Sequence, residues 1–383
     1  MYKIKKLKDC ATIIAGQSPE SKYYNTEGIG IPFFQGKADF GELYPTVRMY
    51  CSQPTKIAEK DDVLLSVRAP VGPTNLSPGR VCIGRGLAAI RPFSDMSLRY
   101  LLYYFRFFES QLSAKGTGTT FKAITQATIK NLDVPVPPLP DQEHIVFRIE
   151  ELFSQLDASV AELKTAKERL KVYRQAVLKE AFSKFDGSIE KTISSVCENI
   201  VDCPHSTPKW VQKGKLCLRT TNFKPGYLNL SEKNYVSEET FCERISRLAP
   251  KPGDVLFSRE GAILGIACII PDGLEVCMGQ RMMLLRPSED LLNKYLMYYL
   301  NSPKARTLII ENVGGTASPH INVGDIKNFT IPIIPFAQQQ SVVAEIESRL
   351  SVCDNIEKTV GTALQQAEAL RQSILKIAFE GGL

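Results

Sequence analysis

The residues best suited to metal binding or nucleophilic chemistry are ten cysteines and three histidines, scattered along a chain of 383 residues. A zinc site needs four ligands, usually paired at short spacing, and no two cysteines form a Cys-x-x-Cys pair. Cys203 and His205 come closest, but a buried thiol beside a loop histidine is the simpler interpretation. The sequence therefore predicts no metal site.

Motifs for nucleotide chemistry and covalent catalysis are also missing from the sequence. There is no Gly-x-x-x-x-Gly-Lys-Ser/Thr loop, no Gly-x-Ser-x-Gly turn and no Asn-Pro-Pro-aromatic sequence of the amino-methyltransferase kind. Gly84-Arg85-Gly86 and Gly116-Thr117-Gly118 lack the third glycine of a dinucleotide loop. The sequence predicts no catalytic residue and no cofactor in this chain. An undetected nuclease or methyltransferase is the alternative, and methyl transfer to DNA by the chain alone would identify it.

Basic, amide and hydroxyl side chains in loops could instead contact nucleic acid. The net charge of +6 at pH 7 permits DNA binding without requiring it, because a basic surface must be clustered to attract a polyanion. Arg, Lys, Asn and Gln read base edges, whereas Lys, Arg, Ser and Thr hold phosphates. In the first half the candidates are Gln17, Lys22, Tyr23, Gln35, Lys37, Arg68, Arg85, Lys115, Thr117, Thr119 and Lys122. In the second half they are His205, Lys209, Trp210, Arg219, Thr220, Asn222, Arg259, Gln280, Arg281, Thr316, Ser318 and His320.

Three of these candidates also have simple structural interpretations. Arg68 and Arg259 fall on a turn shared by both halves, where each could form a salt bridge or hold a phosphate. Trp210 is the only tryptophan, and it could anchor a loop by packing or stack on a base. Both interpretations stay open at this point.

The elements that must position these side chains occur twice. Segment 129–132 (IKNL) returns as 326–329 (IKNF), and segment 174–179 (RQAVLK) returns as 371–376 (RQSILK), both at an offset of 197 residues. Segment 62–66 (DVLLS) returns as 254–258 (DVLFS), at an offset of 192. The halves therefore share a framework and differ by small loop insertions. We expect side chains specific to each half where this framework breaks.

Each half begins with short β-like runs punctuated by Gly and Pro, followed by a short helix near 98–108 or 291–301. A long helix comes next, with apolar residues at alternating steps of four and three, the heptad pattern of a coiled coil. Each long helix spans about 60 Å at 1.5 Å per residue, too long for its own domain to bury. The predicted seam residues are Ile149, Leu152, Leu156, Leu163, Leu170, Ile346, Cys353, Ile356, Val360 and Leu370.

The predicted fold class is α+β, with two tandem α/β domains that alternate with two long helices. The helices are expected to pair as an antiparallel coiled coil with pseudo-twofold symmetry; packing on their own domains or dimerisation with another chain are the alternatives. The predicted boundaries are 1–137 and 186–334 for the domains, and 138–185 and 335–383 for the helices. No run of about eighteen apolar residues predicts a membrane span. Free thiols and the lack of an export signal predict a cytoplasmic protein.

The sequence also resembles a known family. Segment 138–146 (PLPDQEHIV) with 149–153 (IEELF) resembles the helix opening of the specificity subunits of type I restriction-modification systems, and 335–340 (PFAQQQ) resembles a second copy. Segment 258–262 (SREGA) resembles a turn of that family, and 66–72 (SVRAPVG) is its first-half version. The resemblance covers essentially the whole chain, with the same parts in the same order twice.

The resemblance implies a sequence-specific DNA-binding subunit in which each recognition domain reads one half of a bipartite site. It implies that the helices set the spacer and dock two modification (methyltransferase) subunits that carry S-adenosylmethionine. Restriction (motor-nuclease) subunits that use ATP and magnesium would complete the complex. The alternative is a non-catalytic coiled-coil scaffold whose duplicated domains bind proteins, and such a scaffold would show no salt-dependent affinity for DNA.

Overall fold

The computed structural model describes residues 2–116, 123–315 and 319–382. Residue contacts divide the chain into two compact units. The first consists of Met1–Leu163 and Gly361–Leu383, and the second of Lys164–Val360. Within the described residues, no helix combines the length and apolar character needed to cross a membrane.

The strand-rich part of the first unit is built on two sheets. Its strands are β1 (Ile4–Lys6), β2 (Ala11–Ala15), β3 (Tyr24–Asn25), β4 (Ile31–Phe34), β5 (Tyr50–Cys51), β6 (Ile57–Ala58), β7 (Val63–Ser66), β8 (Thr74–Leu76), β9 (Val81–Ile83), β10 (Leu87–Pro92) and β11 (Asp133–Pro135). One sheet has the order β2-β10-β7-β8 and is antiparallel. The other has the order β3-β5-β4-β9-β6, in which β4 and β9 are parallel. A short pair, β1 with β11, brings the start and end of the domain together.

The helices introduced by this half are α1 (Leu98–Ala114), α2 (Gln126–Lys130) and the long α3 (Leu139–Ser183). The Ser97 hydroxyl caps α1 by accepting a hydrogen bond from the amide of Tyr100. One face of α1 is buried against the sheet, where Tyr100 and Phe105 are fully buried. The hydroxyls of Tyr100 and Tyr104 donate to main-chain carbonyls near β11, so the buried phenols are hydrogen-bonded.

The second unit contains the remaining elements of the chain. Its strands are β12 (Glu190–Thr192), β13 (Cys197–Asp202), β14 (Trp210–Val211), β15 (Lys215–Leu218), β16 (Phe223–Lys224), β17 (Tyr227–Leu228), β18 (Tyr235–Val236), β19 (Val255–Ser258), β20 (Ala267–Ile269), β21 (Cys277–Met278), β22 (Met282–Pro287) and β23 (Thr330–Pro332). Its helices are α4 (Ile193–Val196), α5 (Glu238–Ile245), α6 (Asn293–Leu300), α7 (Pro303–Glu311) and α8 (Val323–Asn328), followed by the long α9 (Phe336–Phe379).

The strand order of the first unit returns in the second. The antiparallel sheet β13-β22-β19-β20 repeats β2-β10-β7-β8, and the parallel pair β15 with β21 repeats β4 with β9. The tyrosine hydrogen bonds also return, because Tyr295 and Tyr299 donate to main-chain carbonyls at β23. The two sheet-rich domains and the shared framework predicted from the repeat are therefore confirmed.

In the second unit, the C-terminal part of α3 lies antiparallel to the N-terminal part of α9. Lys184, the first residue after α3, pairs with Glu345 of α9 at 3.0 Å. Arg174, ten residues earlier on α3, pairs with Asp354, nine residues later on α9, at 2.6 Å. The residue number therefore falls along α3 while that of the ion-pair partner rises along α9. This order confirms the predicted antiparallel pairing for this part of the helices.

In the first unit, the start of α3 and the end of α9 pack in one core. Arg371 of α9 forms an ion pair with Asp157 of α3, and its guanidinium carbon lies 4.9 Å from the ring centroid of Phe153. Arg371 and Asp157 stand 197 residues from Arg174 and Asp354, respectively. The same ion pair therefore joins the two long helices in both units, with its members exchanged between the helices.

Two of the predicted seam residues are wrong. Ile356 and Leu370 are 44% and 49% exposed, respectively. The next residue along the helix is charged in both cases, and Glu357 pairs with Arg174 and Arg371 pairs with Asp157. The other predicted seam residues of α9, Ile346, Cys353 and Val360, are buried, and the same spacing of seven residues continues at the buried Ala367 and Ile374. On α3, Ile149 is buried and the other predicted seam residues, Leu152, Leu156, Leu163 and Leu170, are partly buried.

A buried glutamine ties the start of α3 to the strand-rich domain of the first unit. Gln142 is 0% exposed, and its side-chain oxygen accepts a hydrogen bond from the amide of Ser97 at 2.7 Å. Its side-chain nitrogen donates to the carbonyls of Asp95 and Pro137, both at 2.9 Å. The glutamine therefore satisfies three main-chain groups where α1 and α3 begin.

Gln339 does the same at the start of α9. It is also 0% exposed, accepts from the amide of Leu292 at 2.8 Å and donates to the carbonyls of Asp290 and Ile334. The sequence offered a signal for both glutamines, since they align at the offset of 197 residues. The sequence analysis did not assign them this role.

Candidate nucleic-acid interface

An open cleft of about 700 Å³ in the first unit brings together four of the predicted DNA-binding residues. These are Gln35, Lys37, Arg68 and Arg85. A further cation in its wall, Arg48, was missed by sequence reasoning, because it lies in an irregular segment between strands where only its charge could have indicated it. All five side chains are exposed to solvent.

Strand ends place these side chains around the cleft. Gln35 and Lys37 follow β4, and Arg85 lies in the turn between β9 and β10. Because β4 and β9 are parallel, both strands end at the same edge of their sheet. Arg68 follows β7, which pairs with β10. Three separate segments of the chain therefore meet at one surface.

The turn that carries Arg85 has a fixed backbone. The main-chain amide of Arg85 donates a hydrogen bond to the hydroxyl of Ser18 at 3.2 Å. A Cβ atom at Gly86 would lie 2.2 Å from the carbonyl oxygen of Gln35, so only glycine allows the turn to approach β4 this closely. The Arg85 side chain is thus presented from a well-defined position.

The cleft is strongly basic. Lys37, Arg48, Arg68 and Arg85 line it together with a single carboxylate, Asp39, whose oxygen accepts a hydrogen bond from the amide of Gln35 at 2.8 Å. Such a surface attracts phosphate groups, and arginine side chains match the two acceptor atoms of guanine in the major groove. The arrangement suits a DNA duplex at this edge of the first unit.

The remaining candidates of the first unit lie outside this cleft lining. Lys22 pairs with Glu20 at 2.7 Å, which raises the pKa of Lys22, and its Nζ lies 4.9 Å from the ring centroid of Tyr23. Gln17 is exposed in the segment after β2, and Lys115 is exposed just after α1. Three further predicted contacts lie outside the described residues, namely Thr117, Thr119 and Lys122.

In the second unit, His205, Gln280 and Arg281 come together at the corresponding strand ends. Gln280 and Arg281 follow β21, and His205 follows β13. The side-chain nitrogen of Gln280 donates to the carbonyl of His205, and its oxygen accepts from the Thr207 hydroxyl at 3.4 Å. Arg281 lies 3.8 Å from Glu260. These residues form a polar surface of mixed charge.

Arg219 and Trp210 form a second group on this unit. The guanidinium carbon of Arg219 lies 5.8 Å from the centroid of the Trp210 ring, and the tryptophan is 40% exposed, so the ring packs against Arg219 and keeps part of its surface open to solvent. Lys209 is exposed, and Thr220 is half-buried. Asn222 differs, because it is buried and its side-chain amide bonds to the Arg219 amide and to two main-chain carbonyls. A structural role for Asn222 is therefore favoured over a base contact.

Arg259 is also engaged within the protein. It is 7% exposed and forms two hydrogen bonds to the Asp202 carboxylate, at 2.8 and 3.0 Å. The same carboxylate lies 3.2 Å from Nε2 of His205. Of the two interpretations of Arg259, the structure favours the salt bridge.

Arg68 and Arg259 do not occupy equivalent places on the shared turn. Arg68 forms a β-bridge with Ala123, and the equivalent bridge in the second unit joins Glu260 to His320. The residue that matches Arg68 is therefore Glu260, of opposite charge, and His320 lies beside it. Two predicted contacts near this bridge fall outside the described residues, namely Thr316 and Ser318.

Equivalent framework positions thus carry different side chains in the two units. Gln35 is the first residue after β4, and Arg219 is the first after β15. Arg85 is the second residue after β9, and Gln280 is the second after β21. Arg and Gln prefer different bases, guanine and adenine respectively, so the two surfaces are suited to different sequences.

Three cysteines in a strand or directly before one are poorly suited to nucleophilic chemistry. Burial raises the pKa of Cys10 and that of Cys82 to about 11, and that of Cys197 to about 12. A thiol with so high a pKa stays protonated near neutral pH and is a poor nucleophile. Among the residues that the structure describes, no cluster of three or more His, Cys, Asp or Glu side chains could hold a metal ion.

A family model and several known proteins match the sequence of this chain. A family model described as "Type I restriction modification DNA specificity domain" matches residues 1–170 and 204–366. The chain is 44% identical over 138 residues to the "Putative type I restriction enzyme MjaX specificity subunit" of Methanocaldococcus jannaschii, an alignment that covers 36% of this chain and 32% of that protein. It is 24% identical over 373 residues to the "Type I restriction enzyme EcoKI specificity subunit" of Escherichia coli K12, covering 91% and 80%. The chain thus spans about a third of the first relative and four fifths of the second.

Two solved structures share the fold. One, reported under "Structural basis underlying complex assembly and conformational transition of the type I R-M system", superposes with a TM-score of 0.75 at 21% identity over 100% of this chain and 98% of that one. The other, the HsdS subunit from Thermoanaerobacter tengcongensis, gives 0.54 at 21% identity over 100% and 97%. At these identities the likeness concerns the fold alone.

Proposed function

This chain belongs to the type I restriction modification DNA specificity family, and from that premise we propose that it binds a bipartite DNA site with one half-site on each strand-rich domain. The chain itself is not the methyltransferase or the nuclease. It supplies the sequence specificity for partner subunits that perform those reactions.

The observation that carries the proposal is a duplicated framework with different polar side chains at the same strand ends. In the first unit, Gln35 and Arg85 line a basic cleft, whereas in the second unit Arg219 and Gln280, respectively, stand at the matching places. A framework used twice keeps the mode of DNA binding, and the exchanged side chains change the bases that are read. The half-sites are therefore expected to differ in sequence.

The long helices are proposed to set the spacer between the half-sites and to dock two modification subunits. They carry exposed apolar side chains, such as Phe147 at 63% and Val172 at 71%, which suit a protein partner. S-adenosylmethionine would be bound by those modification subunits, and ATP and magnesium by restriction subunits, with no cofactor in this chain. The complex would act in the cytoplasm, where its DNA is found.

The proposal is tested by mapping methylated adenines in host DNA with and without this gene. We expect a single bipartite motif that disappears with the gene, together with salt-dependent DNA binding that tightens when modification subunits are added. Methylation that is unchanged without the gene, or DNA binding that is absent at low salt, would favour the protein-binding scaffold. Methyl transfer by the purified chain alone would show that the chain is an enzyme.

A further inference from the structure

A buried arginine lies behind the candidate DNA surface of the second unit. Arg244 is on α5 and is only 5% exposed. β18 corresponds to β5, because it pairs antiparallel with β15 as β5 pairs with β4, and the chain then forms the helix α5 where the first unit forms only the short strand β6. Arg244 therefore has no counterpart in the first unit.

The guanidinium of Arg244 is hydrogen-bonded to main-chain carbonyls from two separate segments. Its Nε donates to Met278 at 2.7 Å, and its Nη2 donates to Gly279 at 2.9 Å. Both terminal nitrogens donate to Ser206 at 3.2 Å, and Nη2 also lies 3.3 Å from the carbonyl of Pro204. One side chain thus joins segment 204–206 to segment 278–279.

These two segments carry the polar surface described above. His205 lies within the first segment, and Gln280 directly follows the second. The two are also joined to each other, since Gln280 donates to the carbonyl of His205. Any movement of either segment would therefore displace both side chains.

We infer that Arg244 is a positioning residue that determines how the second domain reads its half-site, without contacting DNA itself. The inference rests on the proposed function. A planar guanidinium offers five donors in a fixed geometry and can join several carbonyls at once, whereas a lysine ammonium offers three donors at one point. Lysine at this position would keep the charge and lose part of the bridge.

The first unit provides an internal control because it fixes the matching segments differently. The Arg85 amide donates to the Ser18 hydroxyl, and the Gln17 amide donates to the carbonyl of Ile83 at 3.0 Å. No side chain of α5 takes part in these bonds. A change at Arg244 should therefore leave the first half-site unaffected.

The test uses the full chain assembled with its modification subunits and compares Arg244→Lys and Arg244→Gln with wild type. Arg247→Lys is the matched control, because Arg247 is exposed three residues further on. Gln280→Ala first identifies which half of the methylated motif belongs to the second domain. We expect Arg244→Lys to reduce discrimination against single mismatches in that half by about tenfold, the effect of one lost base contact, and to leave the other half unchanged. Arg247→Lys should match wild type.

A double-mutant comparison separates positioning from general stability. In a Gln280→Ala background, Arg244→Lys should add little further loss at the same base pair, because both changes act through one side chain. Equal loss at both half-sites, additive losses, or unchanged discrimination in Arg244→Lys and Arg244→Gln would each overturn the inference. The proposed function would fail separately, if wild type itself produced no bipartite motif.

Discussion

At the scale of single residues, Arg85 is the best-defined candidate for a base contact in the first unit. It projects from a turn whose amide is held by Ser18 and whose neighbour Gly86 packs against β4. A side chain on a backbone that is held in place can discriminate between bases, because its hydrogen-bond donors reach only one position in the groove. The exposed cations around it are better suited to phosphate contacts.

We predict that Arg85→Ala weakens discrimination in one half-site by about tenfold, or roughly 1–3 kcal/mol, because a bidentate contact to a base is lost. The measurement is competition binding of the assembled complex to duplexes with single mismatches. Arg80→Ala is the control, since Arg80 is exposed on the same unit and is not part of the cleft lining. An equal effect of the two substitutions would contradict the prediction.

We predict that Lys37→Gln weakens binding about equally for all sequences. Lysine in a basic cleft acts on phosphate as a point charge, so its loss should lower the slope of log affinity against log salt by about one. The measurement is a salt titration of DNA affinity with cognate and non-cognate duplexes. A loss confined to one sequence would instead assign Lys37 to base reading.

At the scale of elements, the starts of the long helices depend on two buried glutamines. Gln339 satisfies one amide and two carbonyls that would otherwise be buried without partners. We predict that Gln339→Leu destabilises the protein by about 2–3 kcal/mol, because unpaired buried polar groups cost about 1–3 kcal/mol each and part of the loss is relieved by water. The measurement is urea unfolding.

Gln338→Leu is a matched control for this prediction, because Gln338 is exposed one residue earlier on the same helix. Its free energy of unfolding should stay within about 0.5 kcal/mol of wild type. If both substitutions have the same small effect, the hydrogen bonds of Gln339 do not hold the start of α9.

The unequal burial of two predicted seam residues of α9 leads to a prediction about stability. Val360 is 6% exposed and Ile356 is 44% exposed, although the heptad pattern placed both at the interface. We expect Val360→Ala to cost about 1–2 kcal/mol through lost burial and a small cavity, and Ile356→Ala to cost less than about 0.5 kcal/mol. Thermal unfolding of the two variants compares them, and a larger loss at Ile356 would restore the original seam.

At the scale of the whole molecule, both domains belong to one chain and are joined by helices without a proline in their interior. A continuous helix is stiff, so a fixed spacer between the half-sites is expected from the proposed function. One added base pair turns one half-site by about a tenth of a helical turn relative to the other.

We therefore predict that insertion of one base pair between the half-sites abolishes specific binding, with affinity falling to the non-specific level. The loss should be at least tenfold, and typical specific complexes lose about 10³ or more. The measurement is competition binding with spacers one base pair shorter and longer, and replacement of spacer bases at constant length is the control. Tolerance of both altered spacers would rule out a fixed spacer set by the helices.

The sequence by itself determined the duplicated plan of the protein, because local patterns carry that information. Repeated segments at an offset of 197 residues identify two related halves, and heptad spacing identifies two long helices. The missing nucleotide-binding motifs also needed no structure to be recognised. Side-chain periodicity reports local conformation, and here it identified both long helices.

Only the tertiary structure decided which side chains meet. The structure shows that Arg48 lines the cleft and that Arg259 forms a salt bridge with Asp202. It also shows that Asn222 is buried and hydrogen-bonded to main-chain groups. The burial along α9 likewise differed from the heptad prediction at Ile356 and Leu370. Such outcomes depend on contacts between residues far apart in sequence, and these contacts are fixed by packing, which no local spacing encodes.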